Sequence, residues 1–311
     1  MPVPSTESCI LVLWMFMIGG VIGSFLNVVV YRLPLGMSIV HPPSHCPKCG
    51  KPIRWYDNVP IIGWIILRGR CRQCGNPISR RYPTVEAVTA IMFALLAAVE
   101  FLSEGANLPR RSFEVADNLF LRQSSMGQVY GVYLYHMLLL CTLLCAALIE
   151  YDGKRAPLKL FVPALAVGAI APLIAPWLRP VAAWGYLPAW LAGAVDGLAG
   201  LAVGALAGGV AWWIEKMLRR SEKTSKKKSS KKNARARSPT SVPPALACVG
   251  LFLGWQAVAL IAIATAAVVV LVWLVGRLLG RPKLAELWNP TMLLGVVTLV
   301  WILAWAKLVT S

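Results

Sequence analysis

Residues 9–31 read CILVLWMFMIGGVIGSFLNVVVY, twenty-three positions without a charged side chain. About 20 apolar residues suffice for a helix to cross the hydrocarbon core. This stretch therefore predicts a membrane-spanning helix. It lacks a basic leading region and a small-residue cleavage site, so it reads as a retained anchor. Further apolar runs cover Val85–Leu102, Val129–Ile149, Phe161–Leu178, Leu187–Ile214 and Met292–Ala306. The run Ala245–Leu279 is long enough for two helices with a tight turn near Gly254–Gln256. The expectation is an all-α polytopic membrane protein with eight spans.

Composition agrees. The chain has 311 residues, 58% hydrophobic and 14% charged, and a mean hydropathy of +0.65. A soluble domain carries roughly 25% charged residues, and a disordered chain is far less apolar. The net charge of +18 is concentrated. Residues Lys216–Arg237 hold 11 Lys and Arg against Glu222 alone, which gives +10 of that total. This tract reads as a solvated, disordered linker attracted to anionic headgroups, with membrane lipid as partner and no nucleic acid expected.

Basic residues stay on the cytoplasmic side. Nine lie between Arg32 and Arg81, whereas Arg110, Arg111, Arg122 and Arg179 are sparse in the alternate loops. The N-terminus is therefore expected outside, with residues 32–84 and the basic linker in the cytoplasm. Small residues four apart predict close helix packing: Gly19 and Gly23 in the first span, and Gly193, Gly197, Gly200, Gly204 and Gly208 in the fifth.

Loop 32–84 contains Cys46-Pro-Lys-Cys49 and Cys71-Arg-Gln-Cys74, each followed by glycine. Four thiolates at this spacing suit tetrahedral zinc in a closed structural site. Redox pairs and unliganded thiols are the alternatives, and a cytoplasmic location argues against structural disulfides. His41 and His45 read as loop residues, and Cys9, Cys141, Cys145 and Cys248 as small apolar side chains.

The run Gly23-Ser-Phe-Leu-Asn-Val-Val-Val-Tyr-Arg-Leu-Pro34 resembles the N-terminal signature of bacterial type IV prepilin peptidase/N-methyltransferases. The similarity continues through Cys46-x-x-Cys49, Asn58-Val-Pro60, Trp64, Leu67-Arg-Gly-Arg-Cys71, Ile78-Ser-Arg-Arg-Tyr-Pro83 and Glu86. The resemblance implies an inner-membrane aspartic endopeptidase of type IV pili and type II secretion. Its substrates would be pilin-like precursors or pseudopilins, and its methyl donor S-adenosylmethionine. Asn27, Arg32, Arg68, Arg70, Arg80 and Arg81 are then candidate substrate or cofactor contacts.

The second half departs from that pattern. The family places one catalytic aspartate at the cytoplasmic end of the third span, where this chain reads Leu148-Ile149-Glu150-Tyr151-Asp152. Glu150 replaces the first aspartate, and Asp152 matches the other acid of the stretch. Counting back from Gly250-Leu-Phe-Leu-Gly254-Trp255-Gln256 puts Val242 where the second aspartate belongs. An aspartic peptidase needs two carboxylates that share a proton, and valine supplies none. Asp152, Asp196 and Glu215 are the remaining acids that could rebuild a pair with Glu150. The competing expectations are a peptidase with an altered catalytic half, a non-proteolytic partner that uses its zinc loop, and a methyltransferase alone.

The organisation expected is a first span over 1–31 and a four-cysteine, methyltransferase-associated loop over 32–84. Spans two to five would fill 85–215, the linker 216–244, and spans six to eight 245–311.

Overall fold

A computed structural model describes residues 6–103, 107–108, 122–179, 189–226, 241–279 and 289–309. The described residues form eight α-helices and no strands, only two isolated bridges. The helices are α1 Thr6–Arg32, α2 Ile62–Ile66, α3 Arg81–Leu102, α4 Arg122–Tyr151, α5 Val162–Ile174, α6 Ala189–Lys226, α7 Val242–Leu278 and α8 Pro290–Val309. Among the described residues, five stretches are long and apolar enough to cross a membrane: Cys9–Leu35, Arg81–Leu102, Gly127–Tyr151, Leu191–Met217 and Val242–Val275. Leu158–Ile174 and Pro290–Trp305 are shorter apolar helices. Large apolar side chains on these helices stand exposed, among them Leu13, Val21, Leu206 and Ile263. Such a surface suits lipid as solvent and would be a liability in water.

The chain divides into two compact units, Met1–Gly105 and Ala106–Ser311. In the first, α1 and α3 pack antiparallel over the glycine seam. A Cβ at Gly19 would lie 2.8 Å from the Ala90 Cα, and one at Gly23 would lie 2.8 Å from the Glu86 Cα. Asn27 fixes the register by donating its Nδ2 to the Tyr82 carbonyl at 3.2 Å. Close backbone approach of this kind supplies dispersion contacts that lipid cannot.

In the second unit, α6 and α7 form the tightest pair. Gly200, Gly204 and Gly208 of α6 lie directly against the backbones of Gly250, Leu246 and Pro243 of α7. The remaining seam glycines differ: Gly197 meets the Arg179 guanidinium, and Gly193 faces open space. Tyr135 of α4 stacks on Phe252 of α7 with ring centroids 4.2 Å apart. Tyr133, Phe161, Phe252, Ile302 and Trp305 fill the interior.

The run after the linker breaks inside the stretch expected to hold a turn: within Val242–Leu278 two helices meet across a kink at Gly254 (φ 84°, ψ 172°). One expectation changes: the linker starts later than residue 216, because α6 continues through Lys226. Lysine, arginine and glutamate are good helix formers, so charge alone does not stop a helix. Residues 227–240 of the linker, with Arg110 and Arg111, lie outside the described residues.

Candidate functional site

The four cysteines of loop 32–84 converge. Their sulfurs all lie within 4.8 Å of one another, and Cys46 Sγ is 3.8 Å from Cys74 Sγ. Zinc–sulfur bonds of about 2.3 Å in a tetrahedron require sulfur–sulfur edges of about 3.8 Å. The cage therefore fits zinc held by Cys46, Cys49, Cys71 and Cys74.

Two matching turns build it. The Cys46 amide donates to Lys51 O (3.0 Å), and the Gly50 amide to Cys46 O (2.9 Å). The Cys71 amide donates to Asn76 O (2.9 Å), and the Gly75 amide to Cys71 O (2.9 Å). Gly50 and Gly75 adopt φ of +69° and +68°, a conformation glycine reaches without steric cost. Bridges His45–Pro52 and Arg70–Pro77 close both turns. The signal was present in the sequence as a wider repeat than C-x-x-C: Cys46-x-x-Cys-Gly-x-Pro-Ile53 and Cys71-x-x-Cys-Gly-x-Pro-Ile78.

The backbone amides of Cys49 and Lys48 bring the Cys46 thiol down to about 6. At Cys74 the Asn76 amide favours the thiolate, but burial and the neighbouring sulfurs outweigh it and push the thiol to about 11. Sulfurs crowded together without a cation compete for protons in this way. A divalent cation removes the conflict by favouring every thiolate. Neither His41 nor His45 belongs to the cage, and His45 Nδ1 sits 3.1 Å from the Pro43 carbonyl.

Between the turns, Asp57 takes a forked contact from Arg72, with Nη2–Oδ1 at 2.6 Å and Nε–Oδ2 at 2.8 Å. The Arg72 hydrogen bond holds the Asp57 carboxyl below its usual range. Trp64 donates Nε1 to Ile78 O at 3.1 Å. Ile61 adopts φ 62° and ψ −54°, a γ-turn closed by the Ile62 amide on Pro60 O at 2.5 Å. This conformation is rare for a β-branched residue. The buried Glu86 of α3 steadies it, its Oε2 accepting the Ile61 amide at 2.7 Å. Arg32 donates to Ser38 O at 3.1 Å. Arg68, Arg70 and Arg80 stand exposed, and Arg81 is half-buried.

A second cluster of sequence-derived residues meets in the other unit. Glu150 lies in the last turn of α4, which Gly153 (φ 72°) terminates. Its Oε1 accepts the Ser241 amide, and the side chains of Ser241 and Thr291 face the carboxylate. Ser241 immediately precedes α7, and Thr291 is the second residue of α8. Glu150 thus caps one helix N-terminus and adjoins another, where amides and dipole both favour an anion. Asn289 joins the same corner, capping α8 through the Met292 amide (2.6 Å) and donating to Ala147 O of α4 (3.1 Å).

Val242 is buried as the first residue of α7, next to Ser241. The position read as missing its acid is thus brought to Glu150. Asp152 is half-buried two residues beyond it. Glu215 of α6 lies near enough for its charge to act on Glu150. A mostly apolar cavity of about 590 Å³ opens beside this corner, lined by Arg155, Pro157, Trp212, Ser241, Pro243 and Pro244 among others.

Asp196 lies elsewhere, against the Gly254 break. A Cβ on Gly254 would collide with its carboxylate. Arg179, counted in the sequence as a loop charge, is buried and reaches the same place. Its Nη2 donates to Gly168 O (2.8 Å) and Leu251 O (2.7 Å), and its Nη1 donates to Gly193 O. The break at Gly254 frees the Leu251 carbonyl and the Trp255 amide. Arg179 satisfies the first and Asp196 the second. Unpaired backbone groups inside a membrane cost several kcal/mol each, so these two side chains explain how the break is tolerated.

Residues 17–100 match the family described as the bacterial peptidase A24 N-terminal domain. The chain is 54% identical over 80 residues to a prepilin leader peptidase/N-methyltransferase of Myxococcus xanthus (strain DK1622), covering 26% of this chain and 24% of the relative. It is 47% identical over 88 residues to a protein of the same name from Klebsiella pneumoniae, covering 26% and 39%. It is 43% identical over 101 residues to the type 4 prepilin-like proteins leader peptide-processing enzyme of Escherichia coli O78:H11 (strain H10407 / ETEC), covering 26% and 38%. The match thus spans only 24% to 39% of these relatives' length. No solved structure matches the chain. The resemblance to the prepilin peptidase family is borne out over the first hundred residues.

Proposed function

We propose, taking residues 17–100 as a bacterial peptidase A24 N-terminal domain, that this protein handles type IV pilin-like precursors or secretion pseudopilins at the bacterial inner membrane. The observation that carries this reading is the family match over residues 17–100, the segment that holds the four-sulfur cage and the α1–α3 seam. Zinc would fix the loop, and the loop would present the substrate-handling surface on the cytoplasmic side, with the N-terminus outside.

Leader cleavage by an aspartic pair is not expected of this chain. Glu150 is committed to the Ser241 amide, and Val242 offers no proton-sharing partner beside it. A second carboxylate from Glu215 or Asp152 would have to turn toward Glu150 to rebuild the pair. The second reading is a methyltransferase without peptidase activity, using S-adenosylmethionine. It is favoured by the retention of the N-terminal region that relatives of that printed name share. The remaining reading is a membrane partner that binds precursor and alters it in no way.

Mass spectrometry decides among them. The purified protein is incubated with a cognate precursor, with its pre-cleaved form, and with S-adenosylmethionine. The expected result is an uncut precursor that co-purifies with the protein. A leader-free product abolished by Glu150→Gln would establish a rebuilt pair. Methylation of the pre-cleaved form alone would select the methyltransferase. Failure of precursor to bind, with a relative binding it in parallel, would overturn the proposal.

A further inference from the structure

Segment 59–66 lies between two helices that cross the membrane, and its position along them sets its depth. Pro60 packs against α1 at Gly20, where a Cβ would lie 3.4 Å from the Pro60 Cβ. Ile61 is tied to Glu86, in the second turn of α3. The α3 helix begins at Arg81, and its first residues are level with Asn27 through the bond to Tyr82. From Asn27 to Gly20 is seven residues, or about 10 Å at 1.5 Å per residue. The turn at Pro60–Ile61 therefore sits about 10 Å below the start of α3, on the membrane side.

The residues that follow suit that depth and would not suit water. Ile62, Ile65 and Ile66 of α2 are 55%, 61% and 65% exposed. Gly63, at the flank of this face, is buried against the Asp57 carbonyl, which fixes the orientation of α2. Trp64 is held inward by its bond to Ile78 O. The chain then leaves through Leu67 to two exposed arginines, Arg68 and Arg70. Across 32–84 there are nine Lys and Arg against the single acid Asp57. Interfacial segments share this arrangement of apolar side chains at acyl depth with cations above them at phosphate level.

We propose that Val59–Ile66 is a re-entrant, lipid-inserted element. In this arrangement Ile62, Ile65 and Ile66 lie among acyl chains beside α1, and Arg68 and Arg70 meet the phosphates of anionic phospholipid. The loop expected to be wholly cytoplasmic would thus be pinned to the bilayer at its middle. The zinc turns on either side would be held at the surface. Glu86 is the positioning residue, because it bonds the amide of the turn that brings α2 back upward.

The test needs no substitution. The full-length protein is placed in nanodiscs of phosphatidylethanolamine and phosphatidylglycerol that carry a phospholipid with a diazirine in its acyl chain. After irradiation and trypsin, label is mapped by mass spectrometry. The peptide Trp55–Arg68 should be labelled as heavily as the peptide ending at Arg32, and Lys51 should carry none. Absence of label on Trp55–Arg68, with α1 and α3 labelled, would overturn the proposal.

A second measurement locates the contact. Benzoylphenylalanine in place of Ile66 should cross-link to lipid, as it should in place of Val21 on α1. A cross-link from Ile66 to protein alone, with Val21 capturing lipid, would assign this face to a protein partner and refute lipid insertion. The exposed position Lys51 serves as the control and should capture no lipid.

Discussion

Replacing Cys71 by serine removes one corner of the sulfur cage while leaving its backbone turn in place. The Cys71 amide bond to Asn76 O and the Gly75 amide bond to Cys71 O do not involve the sulfur. The change therefore tests metal binding apart from turn formation. A structural zinc contributes about 10–16 kcal/mol at neutral pH in small domains. Four equivalent sulfurs share this as about 2.5–4 kcal/mol each, or roughly 70- to 900-fold in affinity. The figure is the mean over the four sulfurs; because the two turns match bond for bond, Cys71 holds the place that Cys46 holds in the other turn. The assay is competition with a coloured chelator, followed by metal analysis of the protein. Wild type should retain one zinc per chain, and Cys71→Ser should release it at chelator concentrations about two to three orders of magnitude lower. Retention of zinc by the variant at wild-type chelator concentrations would refute the four-sulfur site. A wild-type protein that binds no metal after reconstitution would refute it equally.

Three other perturbations follow from the packing. Gly200→Leu puts a side chain into the α6–α7 backbone contact. It should destabilise the protein by about 1–3 kcal/mol or separate the pair, read by thermal unfolding in detergent. Arg179→Met leaves Asp196 uncompensated and strips a donor from three carbonyls. It should cost about 3–5 kcal/mol, part of which Asp196→Asn should restore in the double variant. Asp57 is held below its ordinary value of 3.8 by Arg72. A depressed carboxyl stabilises above its unfolded value and loses that contribution as pH falls through its folded value. Titration by NMR should therefore show the Asp57–Arg72 contact unchanged from pH 7 to about 5 and lost only below 3.8.

Much of this was legible in the chain, because the informative residues act through spacing. Gly19 and Gly23, and Gly200 to Gly208, mark seams because small residues at one-turn intervals line a single helix face. The cysteines announced a metal cage for the same reason. What escaped was set by contacts between distant segments. The break at Gly254 was legible, because glycine permits one. The side chains that satisfy its freed backbone groups were not, because Arg179 and Asp196 come from 75 and 58 residues upstream. Arg179 itself passed as a loop charge, since sequence alone does not distinguish an arginine facing headgroups from one enclosed by three carbonyls. The depth of Pro60 was hidden similarly. Loop 32–84 reads as polar overall, and only its contact with Gly20 places its middle beside the apolar part of α1.

The corner around Glu150 bears on how this sequence can change over generations. A carboxylate that caps α7 and adjoins the start of α8 contributes to folding whether or not it ever moves a proton. Purifying selection for a stable bundle would then keep an acid at position 150 whatever stands at 242. Position 242 carries no such obligation, since its side chain only has to fill space. Under the reading that the two positions descend from a catalytic pair, they would decay at different rates, the one that also caps helices last. An acid at 150 would then record the demands of the bundle, and the residue at 242 would be the one to report on catalysis.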